Sequence, residues 1–407
     1  MKTILILEIS DTGHHPRFLR HVFESIDQEA ANVLIAGTRD LVRHSELDLV
    51  RDRFTPIEIQ LSKTEEARLN DFSRIGLIRR QFCVRNIYAR LWREVIRTRQ
   101  IDMVIVPFAD DCLDALAVSG SPFGRTPWVG VSMRTQFHFS KVGVIADKRV
   151  DAGVRAVLFR RLLRQPSLKV LLTIDPTLHH FARHRQEREF AKVQYLPDPC
   201  ESLDPIGRKE ARNSLGIPED CKAILVYGML SERKGISHLI QALSVPECPE
   251  TVQVILAGSQ DADVKALLES PVAASLIASN RLHVVSGYLP NSHVAQLVYA
   301  SDAMWIGYID FYTMSGVLVL ASRNGLLSIT TQQGIIGYLS RVHGCGIPVD
   351  PRSQQSIVDV LQRIAIGDPN LARVADNARN AFSNHSHAEF YRIVGDSVRT
   401  AGDACGA

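Results

Sequence analysis

Short runs of branched aliphatic residues alternate with longer amphipathic stretches along nearly all of the 407 residues, and this alternation restricts the fold most. Several runs are almost entirely apolar, as at 101–106 and 252–257, each with a single polar residue, which is typical of parallel strands covered on both faces. The pattern predicts strands at 3–9, 32–36, 55–60, 102–107, 127–132, 168–174, 222–227, 251–257, 282–286, 303–307, 326–330 and 346–349.

The alternation occurs twice, once on each side of a stretch at 197–207 that is rich in proline and acidic residues. It predicts an α/β chain with two Rossmann-like, doubly wound domains that face each other across a cleft. We place the domains at 1–198 and 199–385. Ligands of such sheets bind at the carboxyl ends of the strands, so residues that follow strands are the candidates for function.

Composition narrows the class of protein. With 45% hydrophobic and 22% charged residues, the chain is an ordinary globular protein rather than a disordered or fibrous one. The first apolar run resembles a signal peptide, but it is short and lacks a cleavage site, so a buried strand is predicted. The seven cysteines have no metal-binding spacing, and we expect reduced thiols in a cytoplasmic protein: Cys83, Cys112, Cys200, Cys221, Cys248, Cys345 and Cys405.

Charge is divided between the halves. Residues 1–198 contain 31 Lys and Arg against 24 Asp and Glu, whereas the remainder contains 16 against 20. The arginine-rich segments 76–99 and 149–164 are predicted helices with a solvated basic face, and apolar positions 78, 82, 88, 92 and 96 are predicted to form the core stripe. Such helices can also lie on an anionic membrane or hold an anionic acceptor. No nucleic-acid motif is present, so nucleic acid is not an expected partner.

The turn after the first strand is the first candidate site. Gly13 permits a tight turn, and Pro16 suits the first turn of a helix at 16–26. His14 and His15 are candidate bases or anion ligands, with Asp11 and Gly13 in the same loop, unless the loop is merely solvated. His138, after the strand at 127–132, is a third candidate base.

A second candidate follows the strand at 222–227. Gly228 begins a turn, and the adjacent cations Arg233 and Lys234 open a helix, which is a suitable site for a diphosphate. The stretch is not a Walker A loop, because GxxxxGK[ST] is absent. The alternative interpretation is a charged helix start on the surface.

Two further candidates follow strands in the second half. Thr313 and Ser315 are good N-cap types for a helix at 315–324, and Gly316 allows a phosphate to approach the N–H groups through Val317. Simple helix capping is the alternative. The stretch Gly287, Tyr288 and Leu289 could border a nucleobase through backbone hydrogen bonds and ring stacking, although as an isolated motif it is weak. The chain contains no HExxH, no GxSxG and no Cys/His cluster, so no metal site is expected.

Residues 195–390 resemble the donor domain of GT-B glycosyltransferases, in particular the retaining family-4, or group 1, proteins. The markers occur in the family's order: Leu196 to Pro199, Gly228 to Gly235, Leu239 to Ala242, Val254 to Gly258, Val285 to Leu289, Tyr299 to Ala303, and Ala321 to Gly325 with Gly334 and Gly337. The first half is similar only in Gly13 and in the rhythm of its elements. The resemblance implies a nucleotide-sugar in the second domain, an acceptor in the first, and a last helix at about 386–402 that packs back on the first domain.

The resemblance also implies roles for single residues. Lys234 matches the family's diphosphate lysine, and residues 287–289 match the region that meets the base. The chain departs from the family at three positions. Met229 stands where an arginine is expected, and Tyr312 and Leu320 stand where the family has two glutamates. We expect Arg233 to replace the arginine, and Asp310, two residues before Tyr312, to take over contacts with the donor sugar.

The resemblance therefore implies a glycosyltransferase that moves a sugar from a nucleoside-diphosphate sugar to an acceptor, with retention and without a metal or another cofactor. The missing glutamates leave two alternatives open. One is a non-catalytic or partner-dependent nucleotide-sugar-binding protein, and the other is a nucleotide-sugar epimerase. The sequence does not distinguish UDP from GDP donors, and an anionic lipid-linked acceptor and a soluble acceptor are equally compatible with it.

Overall fold

The computed structural model describes residues 1–200 and 203–403. The chain divides into two compact units. Unit 1 contains residues 1–142, 147–197 and the segment that begins at His387, and unit 2 contains residues 143–146 and 198–386. Two residues of the predicted linker, 201 and 202, lie outside the described residues, as does Cys405.

Unit 1 contains a seven-stranded parallel sheet with the order β3-β2-β1-β4-β5-β6-β7. Its strands are β1 (Lys2–Leu7), β2 (Ala31–Thr38), β3 (Thr55–Ile59), β4 (Met103–Val106), β5 (Trp128–Ser132), β6 (Leu168–Thr173) and β7 (Val193–Tyr195). The strand order reverses between β1 and β4, which is where sheets of this type bind ligands.

Helices cover both faces of this sheet. They are α1 (His15–Glu24), α2 (Arg39–Val42), α3 (Ser45–Asp48), α4 (Lys63–Leu69), α5 (Arg74–Val95), α6 (Leu113–Ser119), α7 (Phe139–Val142), α8 (Ala152–Leu163), α9 (Pro176–Arg183) and the C-terminal helix His387–Asp403. Two short 3-10 helices lie at Arg51–Arg53 and Arg188–Lys192, and a third at Ala109–Asp111 follows β4.

Unit 2 contains a six-stranded parallel sheet, β8 (Lys222–Tyr227), β9 (Val252–Gly258), β10 (Leu282–Ser286), β11 (Ala303–Ile306), β12 (Leu327–Thr331) and β13 (Ile347–Val349). The order is β10-β9-β8-β11-β12-β13, so the reversal falls between β8 and β11. Its helices are α10 (Arg208–Leu215), α11 (Ile236–Ser244), α12 (Ala262–Leu268), α13 (Pro271–Ala278), α14 (Asn291–Ala300), α15 (Gly316–Arg323), α16 (Gly334–His343), α17 (Gln354–Ala365) and α18 (Asn370–Ala381), and a 3-10 helix lies at Glu232–Lys234. The C-terminal helix of unit 1 is therefore α19.

Each of the twelve predicted strands is present, and the prediction of a doubly wound α/β fold is confirmed. The sequence did not reveal β7, which is only three residues long and pairs with a single neighbour, β6. The six described cysteines are free. Among the described residues, no helix combines the length and hydrophobicity that crossing a bilayer requires.

The predicted core stripe of α5 is partly wrong. Tyr88 and Trp92 are buried as expected, but Ile78 and Ile96 are exposed. The buried stripe instead follows i, i+4 spacing from Cys83 through 87 to 91, with Val84 beside it. The predicted set spans more than four turns at irregular spacing, so its first and last members rotate away from the sheet.

A buried arginine joins α10 to the end of α14 and to the residues that precede β8 and β11. The Arg212 side chain is fully buried and donates hydrogen bonds to the carbonyl oxygens of Ala300 (3.0 Å), Pro218 (2.7 Å) and Cys221 (3.0 Å), and to the carboxylate of Asp302 (2.7 Å). A planar guanidinium with five N–H donors suits such a set of acceptors. Its burial is tolerated because its charge is paired and its donors are used.

Arg212→Met is expected to lower the free energy of unfolding of unit 2 by about 3–5 kcal/mol, because it leaves a carboxylate and several carbonyl groups without their buried donor. Arg208→Ala is the matched control. Arg208 pairs with the same Asp302 at 2.8 Å but is 45% exposed, so its loss should cost less than about 1 kcal/mol. Urea denaturation of the full chain measures both, and equal losses would contradict the role of Arg212.

Candidate functional site

The loops after β8 and β9 touch at two glycines. A side chain on Gly258 would place its Cβ 1.9 Å from the carbonyl oxygen of Gly228, and both residues have positive φ angles, 141° and 98°. Only glycine permits this approach. The Gly228 N–H donates to the carbonyl of Ala257 at 2.9 Å, which extends the ladder to the rim of the sheet.

Lys234 points back into this rim. Its side chain is buried, and its Nζ donates a hydrogen bond to the carbonyl of Tyr227. A Cβ on Gly228 would lie 3.2 Å from the same Nζ, so the glycine leaves room for the ammonium group. Burial, together with the charge of Arg233, lowers the pKa of Lys234 to about 8. Trp305 fixes the Lys234 backbone by donating from Nε1 to its carbonyl at 2.7 Å.

Arg233 joins this turn to the loop that follows β11. Its guanidinium carbon lies 4.8 Å from the centre of the Phe311 ring, which is a cation–π contact. The Ile309 N–H donates to the Arg233 carbonyl at 2.8 Å, and Tyr308 packs edge-on against Phe311 at 5.3 Å. The two stretches singled out from the sequence, 228–235 and 310–318, are therefore in direct contact.

Helix α15 begins at this loop. Ser315 is its N-cap residue, but its hydroxyl does not cap the helix and instead bonds the phenol of Tyr308. Gly316 is exposed at the first helical position, where N–H groups lack partners within the helix. An Asp198 carboxylate oxygen lies 3.5 Å from where a Gly316 Cβ would be. Burial raises the pKa of Asp198 to about 6, and sequence reasoning did not identify this residue as part of the site.

The rest of this loop is held by its backbone. A Cβ on Gly334 would lie 2.5 Å from the Cα of Tyr312, and the Ile335 N–H donates to the Tyr312 carbonyl at 3.1 Å. Asp310 has a positive φ of 51° and is exposed, with its carboxylate 2.9 Å from Arg352. Tyr312, Thr313 and Val317 are half-buried beside it, and Leu320 is half-buried one turn further into α15.

The third loop of unit 2 follows β10. Gly287 has a φ of 104°, and its N–H donates to the carbonyl of Gly258 at 3.3 Å, so this loop adjoins the glycine contact. The Tyr288 side chain is 79% exposed, whereas Leu289 is buried. An exposed aromatic ring next to open backbone is the arrangement expected for stacking a base.

In unit 1, the turn after β1 has a buried carboxylate behind it. Glu8 is 1% exposed, and one of its oxygens accepts from the N–H groups of Ile9 (2.9 Å) and Ser10 (2.8 Å). The same oxygen lies 3.3 Å from Nδ1 of His15. The His15 ring stacks on Phe108 at 3.7 Å, which fixes its orientation. Glu8 ends an apolar strand, and a charged residue at that position is the signal that could have identified it.

His14 differs from His15 in its surroundings. Its ring meets Phe108 edge-on at 5.4 Å. Partial burial, with the charges of His15 and Arg134, lowers the pKa of His14 to about 4. His14 is therefore neutral near pH 7 and supplies no positive charge for an anion.

His138 occupies a closed position. It is fully buried, with Nε2 2.9 Å from the Thr177 hydroxyl and 3.1 Å from the Asp175 carboxylate. Asp175 also caps α9 by accepting from the Thr177 N–H at 2.7 Å. The His138 ring also packs against the rings of Phe139 and Phe181, and His138 does not line the cavity that His15 lines.

A cavity of about 1260 Å³ opens at the carboxyl edge of the unit 1 sheet. It includes the switch between β1 and β4, and its wall combines carboxylates, arginines, amides and hydroxyls with an apolar side. Asp11 and His15 line it. The cavity wall also includes Ser10, Thr12, Arg39, Phe72, Leu77, Arg80, Gln81, Asp110, Asp111, Arg134, Arg149 and Arg155.

Fixed polar groups form the cavity wall after β4 and β5. Asp110 accepts hydrogen bonds from the Ser132 hydroxyl at 3.0 Å and from the backbone N–H groups of Met133 and Arg134. Burial raises the pKa of its carboxyl. Arg134 in turn pairs with Asp111 at 2.6 Å. Among the described residues, no group of three or more His, Cys, Asp or Glu side chains could hold a metal ion.

The sequence of residues 207–381 matches the family model of glycosyl transferases group 1. A comparison with curated proteins finds no match. The matched range contains the 228–235 turn, the glycine contact and the loop that begins α15.

Solved structures similar to the whole chain share the GT-B fold. Sucrose-phosphate synthase from Thermosynechococcus elongatus superposes with a TM-score of 0.70 and 16% identity, covering 99% of this chain and 100% of that one. HepE from Anabaena, in complex with UDP and glucose, gives 0.64 and 16%, covering 98% and 100%. WaaG, a glycosyltransferase involved in lipopolysaccharide biosynthesis, gives 0.62 and 18%, covering 97% and 98%. At these identities the likeness shows the fold alone.

Proposed function

We propose that this GT-B chain, whose second unit matches the family model of glycosyl transferases group 1, transfers a sugar from a nucleoside-diphosphate sugar to an acceptor bound by unit 1. The observation that carries the proposal is the contact between two turns of unit 2. It brings Arg233 and Lys234 to the loop that opens α15, and cations beside a helix N-terminus are suited to a diphosphate.

The donor residues have separate roles in this proposal. Arg233, Lys234 and the backbone around Gly228 neutralise the diphosphate. The N–H groups from Ser315 to Val317 bind its oxygens, with Thr313 beside them. The base stacks at Tyr288, bordered by the backbone of Gly287 and Leu289.

The donor sugar is assigned to Asp310 and Tyr312. The backbone of Gly334 packs against the backbone of their loop, and this contact fixes where the two side chains leave the chain. The Arg352 partner fixes the Asp310 carboxylate, which can accept hydrogen bonds from sugar hydroxyls. Asp310 thus takes over the sugar contacts of the glutamate whose position Tyr312 occupies here.

The chemical demand of the reaction is the charge that develops on the diphosphate as the sugar–phosphate bond breaks. Preorganised N–H dipoles and cations stabilise that charge without a metal ion. We infer retention of configuration: the acceptor oxygen attacks the anomeric carbon from the side of the leaving group. The bond to the diphosphate oxygen breaks, and that oxygen receives the acceptor's proton.

The acceptor is assigned to the unit 1 cavity. Carboxylates, amides and arginines that already hold one another in place bind hydroxyl groups with little further ordering. His15 faces this cavity, and Glu8 and Phe108 hold its ring from behind. We assign His15 to orienting the reacting hydroxyl and Glu8 to positioning His15. His14 lies in the same loop, and we assign no step to His138, because it is fully buried and does not line the cavity.

A panel of UDP, GDP, dTDP, ADP and their sugars, with and without EDTA, tests the donor site. HepE was solved with UDP, so UDP is the first to measure. One nucleotide at a concentration of about 100 times its dissociation constant should stabilise the protein by roughly 2.7 kcal/mol, and EDTA should not change the shift. Differential scanning fluorimetry measures it.

The same panel separates the alternatives. A shift without release of nucleoside diphosphate in acceptor screens would favour a non-catalytic binding protein. Interconversion of the sugar without any acceptor would favour an epimerase. No response to any nucleotide would contradict the proposed donor site.

Lys234→Met should lower the rate of nucleoside-diphosphate release more than tenfold, as expected when a charge that stabilises the leaving group is removed. It should also change how binding depends on pH. Only protonated Lys234 attracts the diphosphate. The affinity of the unchanged protein for the nucleotide should therefore be highest below the Lys234 pKa of about 8 and should fall as the pH rises through that value. The variant should show no such fall. Calorimetric titration between about pH 7 and pH 9.5 checks this, and an identical fall in both proteins would exclude Lys234.

His15→Gln should lower transfer to the acceptor at least tenfold while the nucleotide-induced thermal shift stays unchanged, because the change affects only the acceptor side. Glu8→Gln should produce the same separation in milder form, since it acts through His15. His14→Gln is the neighbouring control and should retain most of the transfer rate. Equal losses for His14 and His15 would contradict the assignment.

A further inference from the structure

Two segments of unit 1 present apolar side chains to solvent. Residues 72–78, at the start of α5, and 150–157, at the start of α8, carry seven large hydrophobic side chains that are each at least 48% exposed. They are Phe72, Ile75, Leu77, Ile78, Val150, Val154 and Val157. We name these seven residues the apolar lip.

The apolar lip is not the core face of either helix. In α8 the side chains of Phe159, Leu162 and Leu163 are buried against the sheet, whereas Val154 and Val157, one turn apart, are exposed. In α5 the core stripe starts at Cys83, after the exposed residues. Each helix therefore has a second apolar surface that is largely exposed to solvent, with Arg80 over the ring of Phe72 at 5.3 Å.

The two segments border the same cavity. Gln81 of α5 and Arg155 of α8 both donate to the carboxylate of Asp114, at 3.0 and 3.1 Å. Phe72 and Leu77 from one segment line the cavity together with Arg155. The apolar lip thus lies beside the opening of a polar cavity.

Basic residues are interspersed with the lip. Residues 72–80 and 149–164 together contain eight arginines and one acidic residue, Asp151. Asp151 is itself paired with Arg149 and Arg155. Arg79 and Arg161 are exposed on the same two helices. Branched aliphatic side chains among exposed arginines are typical of surfaces that insert shallowly into an anionic bilayer.

We propose that the apolar lip docks unit 1 on an anionic lipid bilayer, and that the acceptor is an amphiphile whose polar head enters the cavity from that bilayer. This deepens the proposed function and rests on its assignment of the acceptor to unit 1. The apolar lip inserts into the interface of the membrane, the arginines bind the lipid phosphates, and the polar cavity binds the hydroxylated head group.

A charged bilayer fits these observations better than a second protein copy. Asp114 and Asp151 pair with Arg155, and Glu189 pairs with Arg160 and Arg164. The eight arginines still outnumber these acids, so two copies that met through this surface would bring like charges together, at a cost that anionic lipid removes. The lip also consists of two helix starts and not a flat face, which suits insertion of separate side chains between head groups.

Flotation of the full chain with vesicles tests the proposal. The protein should bind vesicles of phosphatidylcholine with phosphatidylglycerol, and bind vesicles of phosphatidylcholine alone at least about tenfold more weakly, since charge attraction is lost. Raising the ionic strength should weaken binding, because the Debye length falls from about 8 Å at physiological salt to about 3 Å at 1 M.

The variants Ile75→Gln with Ile78→Gln, and Val154→Gln with Val157→Gln, remove lip residues that do not line the cavity. Each pair should weaken vesicle binding roughly tenfold or more, and the four changes together should abolish it. Leu49→Gln with Ile96→Gln is the matched control, because both residues are exposed in unit 1 outside the lip. The control should stay within about twofold of the unchanged protein.

Failure of this proposal is distinguishable from failure of the proposed function. No binding to either vesicle, or undiminished binding by the fourfold variant, overturns the docking surface whatever the activity. Light scattering adds another outcome: a dimer that the fourfold variant dissociates, without vesicle binding, would assign the lip to a second copy. The nucleotide-induced thermal shift should be the same in all variants, and its absence in the unchanged protein would count against the donor site alone.

Discussion

The parallel pairing of strands is the constraint on which the rest of the molecule depends. Each sheet is covered by helices on both faces, so its strands carry few groups that could react, and their carboxyl ends share one edge. The proposed donor and acceptor sites both lie at such edges. In unit 2 the constraint is tightest where the backbones of Gly228 and Gly258 touch, because that contact leaves space for a lysine and excludes side chains. The proposed donor site thus depends on the close approach of these two backbones. Lys234 and Arg233 lie in the turn that follows Gly228.

Burial determines what the charged groups of both edges can do. Burial lowers the pKa of Lys234 to about 8. Lys234 is therefore mostly a cation at neutral pH and loses its charge when the pH rises about one unit above that value. Glu8 is sealed beneath the first turn of unit 1, where it meets two N–H groups and His15. In contrast, Arg233 and Asp310 are exposed and held by partners, Phe311 and Arg352. Buried groups supply fixed charge, and exposed groups supply charge that a ligand can engage.

The sequence predicted the fold well because short, mostly apolar runs that alternate with amphipathic helices are typical of parallel α/β sheets and of few other folds. It missed β7, whose residues Val193, Gln194 and Tyr195 form no apolar run, and it misplaced part of the α5 stripe. For the sites, spacing identified the turns but not their partners. Tyr308, Asp198 and Arg352 meet their partners only through the fold, and His138 could not be told from His15 because burial depends on distant residues such as Thr177.

The error in the α5 stripe bears on function. Ile78 is predicted to lie in the core, and the pattern gives no role to Ile75 or Leu77. The buried stripe of α5, however, begins only at Cys83. Exposed aliphatic side chains on a stable helix lower solubility and bring no packing energy. Their arginine neighbours and their place beside a polar cavity give them a common explanation in a lipid surface. The proposal thus gives unit 1 two separate tasks: the sheet edge would bind the polar head of the acceptor, and the starts of α5 and α8 would bind the bilayer that contains it.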